Sequence, residues 1–286
     1  MEFARIENGQ MAALWVGTIL SFVAPLVLAI AWIKKTKEKK RKVLFGALAF
    51  FFFVIFMEKP IQNVLLFPSA MNLPEHAASQ FISARPILWA FLVGFFPGVF
   101  EETGRLVIFK TALKEYKNRE TSISYGIGHG GFEVMFILGM TYVSYLVYAY
   151  MINSGEFGNM IEQVRAVAPD QVEQGYAIAE QLASFSVGDL LINIVERVFA
   201  VLYHIGASIL VFYAGKDKKK FMLYPLAIAL HTLLDGLVGL NLAGVLTISP
   251  WAMAAITAIV GCGTFYGAYF LVYKKDTAAE AKEVAV

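Results

Sequence analysis

Seven separate stretches of this chain are each long and apolar enough to cross a lipid bilayer, and that commits most of its length to helix. Crossing the hydrocarbon layer takes about 20 apolar residues, and helical backbone satisfies its own hydrogen bonds there. The stretches lie at roughly 11–33, 43–66, 86–112, 122–151, 187–214, 221–240 and 250–273. The chain is 58% hydrophobic and only 16% charged, with a mean hydropathy of +0.62. Soluble chains carry about a quarter charged residues, so the deficit is what lipid-facing surfaces require. The expected fold is all-α, a polytopic bundle of seven transmembrane helices forming one integral membrane domain over residues 1–286.

Basic residues predict the orientation. The connector 34–42, KKTKEKKRK, is dense in them; Lys110, Lys114, Lys117 and Arg119 mark a second gap, and Lys216, Lys218, Lys219 and Lys220 a third. Lys274, Lys275 and Lys282 close the chain. The opposite side holds Arg5, Lys59, Arg85 and Arg165. Cytoplasmic loops are the basic ones, so the N-terminus is expected outside and the C-terminus in the cytoplasm. The opening MEFARIENGQ has no basic run before the first apolar stretch, which predicts a retained helix rather than a cleaved signal. A net charge of +2 gives no basis for nucleic-acid binding, and the single cysteine, Cys262, excludes an intrachain disulfide or a cysteine-rich metal site. The partners implied are the bilayer and a membrane protein or peptide.

Four of the spans carry ionisable residues at mid-membrane, and the other three are expected to carry none. The residues are Glu101, Glu102 and Arg105; His129 and Glu133; Glu196, Arg197 and His204; and His231 and Asp235. Such groups are expensive in lipid, so they normally face a bundle interior or a wet cavity and mark a functional site. Counting 1.5 Å per residue from the cytoplasmic ends, Glu101, Glu102, Glu133, His204 and His231 come to depths of about 15–17 Å. His129 falls about 10 Å deep and Asp235 about 21 Å. Within the helices, Glu101 and Arg105, His129 and Glu133, and His231 and Asp235 are each four apart, which puts each pair on one face. Arg197 and His204, seven apart, also return to one face, although Glu196 and Arg197 read equally well as a structural ion pair. The site-bearing core is therefore expected within 86–240. Gly126, Gly128, Gly130 and Gly131 surround His129 and suggest a local bend beside a cavity. His76, in the connector 67–85, is expected to be solvated.

Adjacent glutamates with several histidines and no catalytic serine or cysteine point to an activated water as nucleophile. A glutamate in a poorly solvated site can take a proton from water near neutral pH, and a histidine can donate to the developing oxyanion. Arg105 can hold one carboxylate ionised while the other moves the proton, and Asp235 can orient His231. His129, Glu133, His204 and His231 also offer a nitrogen and oxygen set for zinc. No HExxH is present, so metal-free glutamate catalysis leads and a zinc cofactor is the alternative.

The segments Glu101-Glu102-Thr103-Gly104-Arg105 and Gly128-His129-Gly130-Gly131-Phe132-Glu133, with His204 and His231-xxx-Asp235, resemble the YhfC family of intramembrane proteases. That family is similar to the type II CAAX prenyl proteases and the PrsW proteases. The resemblance covers nearly the whole chain and implies peptide-bond hydrolysis in the membrane. It implies that the paired glutamates activate water and that the histidines support the oxyanion or a metal. The HxxxD element fits at His231 and Asp235, whereas the arginine of the prenyl proteases' EExxxR stands one position earlier here. Phe199 stands five before His204, out of register with their FxxxH. Two other classes use the same residues: a proton-coupled or metal-ion transporter, since buried His, Glu and Asp also relay ions, and a noncatalytic membrane scaffold.

Overall fold

The computed structural model describes residues 3–71 and 73–276. Lys282, counted above among the basic residues, lies outside the described residues. All described elements are helical. Seven helices are long and apolar enough to cross a membrane: α1 (Asn8–Thr36), α2 (Lys40–Leu66), α3 (Pro86–Lys110), α4 (Glu120–Ser154), α5 (Val187–Lys216), α6 (Lys218–Leu242) and α7 (Pro250–Asp276). They overlap the seven expected spans and run a few residues past most of them, as helices continue beyond the apolar window. Large apolar side chains such as Ile19, Val27, Phe56, Ile87 and Ile259 are exposed, as lipid-facing positions should be.

The described chain separates into two compact units, Met1–Pro25 with Val134–Val195, and Leu26–Glu133 with Glu196–Val286. In the first, the long connector after α4 folds into two helices, Glu156–Val167 and Val172–Ser184. Gly155, at φ +83°, makes the left-handed turn that ends α4. The apolar faces of both helices join Leu14, Tyr142 and Leu146 in a core through Phe157, Ile161 and Leu182.

The second unit contains two stretches buried on every side, Thr121–Gly131 of α4 and Tyr203–Ala214 of α5. A helix buried all round sits at the centre of its bundle. Close packing against the first stretch needs glycine. A Cβ at Gly128 would lie 1.9 Å from the Val43 carbonyl oxygen, and one at Gly46 would lie 2.1 Å from that of Tyr125. Here α2 and α4 meet backbone to backbone. The same happens between α3 and α6, where a Cβ at Gly94 would stand 2.4 Å from both the Thr232 oxygen and the Gly236 nitrogen. The expected bend around His129 is not found: Glu120–Glu133 is regular α-helix, so those glycines serve packing.

The irregularity lies elsewhere. Phe51–Glu58 in α2 and Val134–Gly139 in α4 are π-helical, and each abuts a buried glutamate, Glu58 and Glu133. Along α2, Lys42, Gly46, Phe50, Val54, Glu58, Gln62 and Leu66 are buried at every fourth residue, with Ala49 buried beside Phe50. In an α-helix of 3.6 residues per turn, four residues overshoot one turn by about 40°. The wider π turns offset that drift and keep Glu58 inside. The expectation that the second span carries no ionisable group at depth is therefore overturned, since Glu58 is fully buried beside Lys59. Pro97 inside α3 has no N–H to give to Val93 four residues earlier, and Gln62 Nε2 of α2 donates to that Val93 oxygen at 3.1 Å. His76 is a helix cap rather than a freely solvated side chain: its Nδ1 accepts from the Ser79 N–H at 3.3 Å, starting Ala77–Ser83.

Candidate active site

Arg105 is the hub. Its guanidinium is completely buried, and a buried cation needs both charge and hydrogen-bond partners. From α3 it reaches α5: Nη1 donates to the His204 carbonyl at 2.8 Å and to Ser208 Oγ at 2.7 Å, and Nη2 donates to His204 Nδ1 at 2.6 Å. On its own helix, Nε lies 3.1 Å from Glu102 Oε2 and Nη2 lies 3.6 Å from Glu101 Oε2. Arginine only donates, so His204 Nδ1 is an acceptor and the ring proton sits on Nε2, which meets Glu133 of α4.

Glu101 is the centre. Its Oε2 is 2.7 Å from His129 Nε2 and 4.0 Å from His204 Nδ1, and its Oε1 is 3.9 Å from His231 Nε2. Glu102 takes the other nitrogen of His231, with Oε1 2.9 Å from Nδ1. Asp235, one turn along α6, has Oδ2 3.6 Å from His231 Nε2. Aromatic rings fix the imidazoles. Phe50 stands edge-on to His129 at 5.4 Å, Tyr125 stacks on it at 6.0 Å, and Tyr203 lies 5.3 Å from both His204 and His231.

Arg197 also belongs to this network. Its Nη1 donates to Glu133 Oε1 at 2.9 Å, while Nε and Nη2 form a fork on Glu196. The ion pair expected from sequence is present, and it is tied through Glu133 to His204. Spacing alone gave no sign of that link, because Glu133 and Arg197 lie on different helices. Glu58 was the residue missed; a single carboxylate in the run FFFVIFMEKP leaves a hydropathy average almost untouched.

Among the described residues, the group that could hold a metal is Glu101, His129 and His204, whose ligand atoms lie within 4.8 Å of one another. This differs from the set His129, Glu133, His204 and His231 expected from sequence. Glu133 is engaged by His204 and Arg197, and His231 by Glu102 and Asp235. Two imidazoles and one carboxylate match a common catalytic zinc set that leaves a position open. The charge balance fits as well. Within the buried centre Glu101, Glu102 and Glu133 outnumber Arg105, and buried acids in excess require protons or a cation. Binding through His204 Nδ1 requires the Arg105 contact there to give way.

A multi-pass membrane protein with a buried glutamate and histidine centre on four helices is the class that fold and site define. The sequence profile of the family described as YhfC intramembrane metalloprotease matches residues 20–258, and the chain belongs to that family. It is 30% identical over 258 residues to the uncharacterized membrane protein YhfC of Bacillus subtilis (strain 168), covering 90% of this chain and 93% of that protein. No solved structure matches.

Proposed function

We propose that the protein is an intramembrane endopeptidase that hydrolyses a peptide bond of a membrane-associated protein or peptide. The observation that carries this reading is Glu101, a buried carboxylate with three imidazoles within 4.0 Å. The family's description as a metalloprotease supports it. Glu101, His129 and His204 would hold a zinc ion, which when bound would acidify a water and polarise a carbonyl.

The chain's own residues account for the proton traffic. The 3.9 Å between Glu101 Oε1 and His231 Nε2 is too long for a hydrogen bond and short enough for one water to bridge. As that water attacks the carbonyl carbon, the C–O bond forms and its proton passes to the Glu101–His231 pair. Collapse of the tetrahedral intermediate breaks the C–N bond, and the same pair returns the proton to the leaving amine. Glu102, held by Arg105 Nε and His231 Nδ1, keeps the imidazole oriented. Arg105 fixes His204 through its main chain and ring together.

The test incubates purified protein with a library of membrane peptides, beside Glu101→Gln, with and without chelator. Loss of a positioned proton-transfer group should slow cleavage by about 10²–10⁴-fold. Cleavage by Glu101→Gln at the wild-type rate would remove the assignment. Loss on chelation, restored by zinc, would support the metal-assisted form.

A further inference from the structure

Every peptide bond hydrolysed consumes a water, and the reacting centre lies within the hydrocarbon thickness. The side chains around it grade from closed to open in one direction. Arg105, Tyr125 and Ser208 are fully buried, on the side of the lysine-rich ends of α3 and α5. Glu101 and His231 are 6% and 4% exposed, while Asp235 and Lys59 reach 38% and 42%. Lys59 and Glu58 stand about two turns from the end of α2 that meets the connector 67–85.

Three observations join this polar group to the centre. Gln62 is fastened to Val93 of α3, and the adjacent Gly94 packs on Thr232 and Gly236 of α6, so α2, α3 and α6 converge at the level of Asp235. Lys59 Nζ donates to Glu58 Oε1 at 3.1 Å and to Gln62 Oε1 at 3.0 Å, bridging the two along one face. The second oxygen, Glu58 Oε2, is buried with no hydrogen-bond partner among the described residues. A carboxylate oxygen inside a protein needs a donor, and a polar site of this kind is where water resides.

We propose that Glu58, Lys59 and Gln62, with Asp235, line a hydrated port through which water reaches Glu101 from the side of the connector 67–85. Lys59 and Asp235 form its rim, and Glu58 is a positioning residue that keeps its inner end wet. The port supplies the nucleophile of the proposed hydrolysis and so extends that reading; its location is tested without any substrate.

A Cys262→Ala background carries either Lys59→Cys or Ser208→Cys, in sealed vesicles whose sidedness is read from an epitope tag in the connector 67–85. A charged, membrane-impermeant methanethiosulfonate is added to either face. Cysteine at 59 should react at least tenfold faster from the connector face, and cysteine at 208 from neither. Equal rates, the reverse preference, or no reaction at 59 overturns the port, whether or not the protein cleaves anything. Kinetics then separate function from architecture. Glu58→Leu should lower kcat about tenfold at unchanged KM, and Glu58→Gln, which still bonds to Lys59 and water, should recover most of it. A wild-type kcat for the leucine variant refutes the role of Glu58.

Discussion

Arg105 shows how one side chain can tie a buried site together. It neutralises two glutamates of its own helix and holds both the ring and the main chain of His204 on another. Removing one partner of a buried ion pair typically costs about 3–5 kcal/mol, because the remaining charge is stranded. Arg105→Met should therefore lower the melting temperature in detergent sharply, whereas Glu101→Gln should melt near wild type and lose catalysis. Thermal unfolding of the two variants side by side checks this; equal melting of Arg105→Met and wild type would contradict it. Metal binding has its own readout. Zinc at a hundredfold excess over its Kd should stabilise the wild type by about 2.7 kcal/mol, and His129→Ala should show no such shift. That these residues would meet was legible in the sequence from their shared depth and four-residue spacing. Their pairing was not, because which imidazole faces which carboxylate depends on the rotation of four helices about their axes.

At the scale of elements, hydropathy located the seven long helices and missed what happens inside them. Both π segments lie inside apolar runs and leave no trace in local composition. The glycines around His129 illustrate the same gap. Small residues announce either a bend or a close contact, and only the position of Val43 decides for contact. Gly128→Ala should thus destabilise the protein by about 1–3 kcal/mol, the usual penalty for overpacking. Gly158→Ala, in the helix Glu156–Val167 with nothing within 4 Å of its Cβ, should gain about 0.5–1 kcal/mol from lost chain entropy. Melting curves for the pair test the two signs together. The helices between α4 and α5 were harder to read because each is only 12 or 13 residues long, with an apolar face too short to stand out in a hydropathy average.

For the molecule as a whole, the basic residues cluster at alternate helix ends, and the charge rule with seven spans predicts termini on opposite faces. A tag at the N-terminus should be accessible from outside intact cells and one at the C-terminus only after permeabilisation; the reverse pattern would overturn the charge-based orientation. The bare-backbone seams of α2 with α4, and of α3 with α6, bear on how anything reaches the glutamates. Such seams have no side chains to swing aside, and prying one open would strip main-chain surfaces of their only neighbours. A peptide reaching the site under the proposed hydrolysis would therefore pass beside these riveted pairs, where rotatable side chains can give way, rather than between them.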